Sequence, residues 1–329
     1  MRSRHPIARG GLVAAGALIA TLIVISILQR PSYAPRALAP PASFEAFLEA
    51  KLAQSRAAGA RPGNEERLLR VAPGRTPLAI LYIHGYGASR AEGEEVVDRV
   101  AREVGANAYY LRLPGHGTTK EDQRRATYRD YLAAAEEALA AMPLLGDKTV
   151  VMGSSMGGLI ATWLAAAHPD RVAAIAVASP FYAFADGLAQ TLFAIPGGRF
   201  VVELAKGKLR SSAGGPRDVP GWQAYWYEQQ YYAALQSLAD LAHLVGTRPI
   251  NARVRCPVLL LYYPGDQTAS VAGMRRAFAE FGGTGAKPAA SRMVAVADGD
   301  HVLLSQWIRT DKATPTAALS AFLQAVVGR

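Results

Sequence analysis

At 329 residues the chain can hold one large domain or two of moderate size. Its 50% hydrophobic and 19% charged residues exclude a disordered polymer. A single cysteine, Cys256, excludes an intramolecular disulfide and leaves no cysteine cluster for a metal, so its expected role is in the core. The net charge of +10 does not by itself point to nucleic acid. Arg2, Arg4, Arg9, Arg30 and Arg36 flank one apolar segment, and a second basic group, Arg199, Lys206, Lys208, Arg210 and Arg217, reads as a solvated face. No aromatic residues interleave with the basic ones in a stacking pattern, so no nucleic-acid partner is expected.

Residues 10–28 carry no charge and are mostly Ala, Leu, Ile and Val. As a helix at ~1.5 Å per residue they span ~28 Å, close to the ~30 Å of a bilayer core. The segment is therefore expected to be a transmembrane anchor. Three arginines before it place the short N-terminal tail in the cytoplasm and the body on the exported side, periplasmic or extracellular. A cleaved signal peptide with secretion is the open alternative, since Ala37-Leu38-Ala39 has a small-x-small form. Pro31, Pro35, Pro40 and Pro41 then predict an extended linker, so residues 1–40 read as tail, anchor and linker and 41–329 as the folded domain.

The domain opens with a capped amphipathic helix, Ser43 to Leu52, with Phe44, Phe47, Leu48 and Leu52 on one face. A strand is expected near 67–71, after the Pro62-Gly63 loop. A regular alternation follows: strand 78–83, helix 94–104, strand 107–113, helix 128–142, strand 149–152, helix 159–167 and strand 173–178. Near-continuous apolar strands separated by helices predict a mainly parallel sheet covered on both faces. From about 181 to 251 the rhythm breaks into helical and aromatic pieces with glycine-rich joints, read as an inserted cap over the sheet. Trp222, Tyr225, Trp226, Tyr227, Tyr231 and Tyr232 crowd this stretch; their expected role is contact between cap and core, with a fraction lining an apolar pocket. Strand 258–263, helix 270–281, strand 292–296 and helix 317–327 complete the chain.

The alternation centres on Gly153-Ser154-Ser155-Met156-Gly157. A strand turning this sharply into a helix holds its middle residue in a strained conformation and demands small neighbours, which Gly153 and Gly157 supply. Ser155 is then expected at the tip, with the helix N-terminus beneath it. Three other strand ends carry chemistry: His84-Gly85-Tyr86-Gly87, Asp266 and His301. Ligands bind outside the carboxyl ends of the strands in such a sheet, so these four ends are expected to converge.

In this order, Ser then Asp then His, and with Arg112-Leu113-Pro114-Gly115-His116-Gly117 between, the chain resembles the α/β-hydrolase superfamily over roughly residues 65–329. Within it the chain looks like the serine carboxylesterase and monoglyceride-lipase group, with an inserted cap. The resemblance implies an α/β-hydrolase fold and a nucleophilic Ser155, with His301 taking its proton and Asp266 holding the imidazole. It also implies an oxyanion hole from the backbone N–H groups of Tyr86 and Met156. His84 and His116 are expected to order loops, and Asp298 and Asp300 lie near His301 only along the chain. The residues after the acid, Gln267-Thr268-Ala269-Ser270, lack the usual valine, which puts Asp266 in some doubt.

A serine at the turn, where relatives that open epoxides carry Asp, favours acyl transfer to water. The expected function is a serine hydrolase cleaving carboxylic esters, with monoacylglycerol- or lysolipid-like substrates beside a membrane. No cofactor or metal is implied. A non-catalytic binding protein on the same fold, or the same serine chemistry on thioesters, amides or carbon–carbon bonds, remains open.

Overall fold

A computed structural model describes residues 30–328 apart from 213, 216 and 286–288. The apolar segment 10–28 lies outside these residues; among the described residues no helix is long and apolar enough to cross a membrane.

The elements, in chain order, are α1 (Phe44–Ala57), β1 (Arg67–Leu69), β2 (Thr76–Ile83), α2 (Glu94–Val104), β3 (Asn107–Leu111), α3 (Lys120–Arg125) and α4 (Tyr128–Ala141). Next come β4 (Gly146–Ser154), α5 (Met156–Ala167), β5 (Ala174–Ala178), α6 (Gly187–Ala194), α7 (Gly198–Lys206), β6 (Leu209–Ser211), β7 (Gln229–Tyr231), α8 (Tyr232–Val245) and α9 (Arg248–Asn251). The chain closes with β8 (Val258–Tyr262), α10 (Val271–Glu280), β9 (Arg292–Ala295) and α11 (Ala313–Val327). Seven strands form one sheet in the order β1-β3-β2-β4-β5-β8-β9. All neighbouring pairs are parallel except β1 with β3, so the sheet is mainly parallel, as its apolar strands predict.

Alternation along each strand divides the core. In β2, Ala79, Leu81 and Ile83 face the layer of α1, α4, α5 and α8, whereas Leu78, Ile80 and Tyr82 face α2 and α11. Local chemistry sets the helix ends. Ser43 caps α1 by accepting from the Ala46 N–H at 3.1 Å, and Gly105, at φ 69°, closes α2 in the left-handed conformation.

The stretch between β5 and β8, expected as a cap, divides in two. α8 buries Leu235, Leu238, Leu241 and Val245 in the same core as α5, so it belongs to the helical layer. α6 and α7 join that core through Phe193 and Val202, and the antiparallel β6–β7 pair forms a separate small sheet that no apolar run announces. The aromatic stretch fastens it to the loops beneath. The Tyr227 hydroxyl donates to Gly115 O at 2.8 Å and accepts from Thr118 N–H at 3.1 Å, and Tyr225 packs on Trp307 with ring centroids 5.0 Å apart. Residues 30–41 hold no regular element and lie against the domain. The buried carboxylate of Glu136 accepts from the Tyr33 hydroxyl at 2.7 Å and the Arg36 N–H at 2.8 Å, and also meets His168 Nε2 at 2.8 Å.

Candidate active site

Because β2, β4, β8 and β9 run parallel, their carboxyl ends lie along one edge of the sheet. Ser155 follows β4 directly and takes φ 50°, ψ −112°, a conformation rare for any residue with a side chain. The turn that imposes it is too tight for side chains on either flank. A Cβ on Gly153 would lie 2.2 Å from Gly157 O, and one on Gly157 would lie 2.0 Å from Ile83 O. Met156 begins α5, and as first residue of the helix its N–H has no intrahelical acceptor.

The loop after β2 lies against this turn. A Cβ on Gly85 would sit 3.1 Å from Ser155 Cβ, so glycine there lets the two backbones meet. His84 orders the loop from the other side: its Nε2 accepts from the Leu113 N–H at 3.2 Å and its Nδ1 lies 2.9 Å from Gly85 O. Burial pushes His84 down to about 4 and His116 well below its usual range, so both rings are neutral at pH 7. His116 is enclosed by the rings of His84, Tyr86 and Tyr131, away from Ser155.

Three side chains from three strand ends meet. His301 Nε2 is 2.8 Å from Ser155 Oγ, and His301 Nδ1 is 2.8 Å from Asp266 Oδ2. Burial opposes charge on His301, but the hydrogen bond and charge of Asp266, with Glu92 and Asp300 adding, outweigh it and raise the imidazole above its ordinary value. Burial opposes charge on Asp266 too; the His301 partner and the N–H groups of Ala269 and Thr268 prevail and hold it below the usual carboxylate range. Those two N–H groups reach Asp266 Oδ1 at 2.9 and 2.8 Å. The departure from valine after the acid is therefore of little consequence, since backbone rather than side chain grips the carboxylate. Asp298 is turned to Arg217 at 2.8 Å, and Asp300 accepts from the His301 N–H at 2.6 Å; neither hydrogen-bonds the ring.

Sequence reasoning passed over Glu92. It sits on a short turn before α2, is 2% exposed, accepts from the Gly85 N–H at 2.5 Å and lies 3.5 Å from the Tyr82 hydroxyl. Burial pushes it up to about 7. Nothing in Arg90-Ala91-Glu92-Gly93 distinguishes it from an exposed first-turn glutamate. The nearest signal is Gly93, where a Cβ would lie 2.1 Å from the Tyr82 ring, so the turn is pressed onto the sheet.

A cavity of about 690 Å³ opens beside Ser155 and His301. Leu188, Leu192, Val202, Leu235 and Leu238 give it an apolar wall, and Tyr86, Trp226, Tyr227 and Tyr232 contribute rings. The arrangement offers a hydroxyl with a base at hydrogen-bond distance, a carboxylate behind the base, and an adjoining space for an apolar chain.

Residues 80–311 match the alpha/beta hydrolase family. A thermostable monoacylglycerol lipase of Bacillus sp. is 29% identical over 190 residues, 58% of this chain and 71% of the lipase. A pimeloyl-acyl-carrier-protein methyl ester esterase of Neisseria meningitidis is 34% identical over 102 residues, 31% of this chain and 36% of the esterase, so the match spans about a third of that relative. Among solved structures, one of the metagenome-derived lipolytic enzymes LipS and LipT matches with a TM-score of 0.66 at 19% identity, covering 82% of this chain and all of that one; the likeness is one of fold.

Proposed function

The chain belongs to the alpha/beta hydrolase family, and we propose that it is a serine hydrolase cleaving carboxylic esters of lipid-like substrates through an acyl-enzyme. The observation that carries this reading is the position of His301, 2.8 Å from Ser155 Oγ through one ring nitrogen and 2.8 Å from Asp266 through the other. His301 Nε2 takes the Ser155 proton as Oγ attacks the ester carbonyl carbon. The carbonyl oxygen becomes an oxyanion, received by the backbone N–H groups of Tyr86 and Met156; one such donor is worth ~2.7–4 kcal/mol of transition-state stabilisation. The intermediate collapses as His301 returns the proton to the departing alkoxide. Water, deprotonated by the same nitrogen, then releases the carboxylic acid and restores Ser155. Asp266 fixes the tautomer and stabilises the transient imidazolium.

The apolar wall beside Ser155 and the names of the lipase and esterase relatives support an ester with an acyl chain. The strained backbone at Ser155 favours catalysis over a merely binding role, because such strain persists where function needs it. Residues 10–28 complete the reading as an anchor that holds an exported domain at a membrane. Ser155→Ala is expected to lower turnover of short- and medium-chain acyl esters by ~10⁶. A variant as fast as the parent protein in that assay would overturn the assignment.

A further inference from the structure

The cavity beside Ser155 is not apolar throughout. Part of its lining comes from the β6–β7 pair, where Arg210 stands opposite Gln230. Ser212 follows two positions after Arg210, so alternation puts it on the same side, and its hydroxyl donates to Gln230 Oε1 at 3.0 Å. Lys206, the last residue of α7, lines the same cavity.

These cations differ from Arg199 and Arg217. Arg199 pairs with Glu203 at 3.8 Å and Arg217 with Asp298 at 2.8 Å, whereas no carboxylate among the described residues pairs with Arg210 or Lys206. The acidic side chain on the wall, Asp186, is engaged in capping α6, its Oδ1 accepting from the Leu188 and Ala189 N–H groups. Tyr86 lines the same cavity; its hydroxyl is buried and has no hydrogen-bond partner among the described residues, and burial and the neighbouring Tyr131 hold it well above its ordinary value, with Arg210 opposing. A buried hydroxyl left unpaired is unfavourable, so this group is suited to a partner that arrives with the ligand.

We propose that Arg210, Lys206 and the Tyr86 hydroxyl receive an anionic group carried on the alcohol portion of the ester, a phosphate or phosphodiester. The substrate class is then an anionic monoacyl lysolipid rather than a neutral monoacylglycerol. The alcohol side is favoured because Tyr86 adjoins Gly85, which lies against Ser155, so the polar corner begins at the scissile bond, while α6, α7 and α8 offer the acyl chain its apolar wall. Phosphate oxygens there form charge-assisted hydrogen bonds in a cavity that is otherwise largely apolar. This inference rests on the reading of Ser155 as the nucleophile.

The test measures kcat/KM for 1-decanoylglycerol and for 1-decanoyl lysophosphatidylglycerol, both below their micelle-forming concentrations, with the parent protein, Arg210→Gln and Lys206→Gln. The parent is expected to prefer the anionic ester, and Arg210→Gln to lower the ratio of the two rates by about 30-fold, the loss of one charge-assisted contact. Lys206→Gln, nearer the surface, is expected to lower it less. Because both esters are read on the same protein, a folding defect cancels from the ratio. A ratio unchanged in Arg210→Gln overturns the anion subsite. If inorganic phosphate instead speeds hydrolysis of the neutral ester in the parent but not in Arg210→Gln, the anion is an effector rather than part of the substrate. If the preference is for the monomethyl ester of a dicarboxylic acid, the anion belongs on the acyl side; either result overturns the proposal. Failure of the parent on every ester overturns the hydrolase reading itself, a result distinct from loss of the preference alone.

Discussion

The Glu92 carboxylate lies within 2.5 Å of the Gly85 N–H, close behind the loop that carries Tyr86, and it is all but sealed from water. A glutamate there is held by geometry and opposed by burial, which raises it to about 7. Between its ordinary value and that raised one, the folded protein keeps a proton that the unfolded chain has released. Stability from this group is thus fully present below the unfolded value and is lost as pH rises toward 7, at about 1.4 kcal/mol per pH unit. Glu92→Gln keeps an oxygen for the Gly85 N–H and cannot ionise. Urea melts of parent and variant across pH 4.5–8 should therefore diverge, with Glu92→Gln gaining relative stability as pH rises. Parallel curves would contradict this. Glu92→Ala removes the support of the loop as well, and is expected to lower esterase turnover where Gln preserves most of it. At this scale the residues that meet at the strand ends are legible in the sequence as types and order, Ser155 then Asp266 then His301. The supports are not: Glu92, and the Thr268 and Ala269 N–H groups on Asp266, act through contacts that no motif spells out.

At the scale of elements, legibility followed periodicity. β2, β4, β5 and β8 are apolar runs buried on both faces and stand within a few residues of their expected bounds. α3 escaped notice because Lys120-Glu121-Asp122-Gln123-Arg124-Arg125 has no apolar stripe; its signal is the capping box of Thr119 with Asp122. β6 and β7 escaped it because three residues each, with Arg210 and Gln230 at their centres, carry no alternation of apolar and polar. Pro31, Pro35, Pro40 and Pro41 predict an extended linker, but docking of this stretch turns on Glu136, a charged residue within an alanine-rich helix that looks like a solvated position in sequence alone. Glu136→Ala leaves the Tyr33 hydroxyl, the Arg36 N–H and His168 without their shared acceptor. The variant is expected to lose ~2–3 kcal/mol of stability. Residues 30–41 should also become open to limited proteolysis. Parent-like resistance to protease in that stretch would show that Glu136 does not hold it.

For the molecule as a whole, exposed apolar surface gathers on one face. Arg30 and Pro31 line a second cavity with Ile195, Pro196 and Phe200, and the exposed apolar residues Leu188, Ile195, Phe200, Val201 and Leu204 gather on α6, α7 and the joint between them. The proposed anchor, residues 10–28, thus precedes the point where the chain meets α6 and α7, two helices that help line the Ser155 cavity. Protein carrying residues 1–329 is accordingly expected to stay in the membrane pellet after alkaline carbonate extraction. Recovery in the supernatant with a new N-terminus near Pro40 would mean a cleaved signal instead. The central claim, that one hydroxyl is activated by the imidazole it touches, has a more direct test. The protein from residue 30 onward is treated with a fluorophosphonate at neutral pH, and the adduct is located by peptide mass mapping. The account predicts one phosphonyl group, on Ser155, lost in His301→Ala. A parent protein that stays unlabelled, or is labelled at another serine, would contradict it.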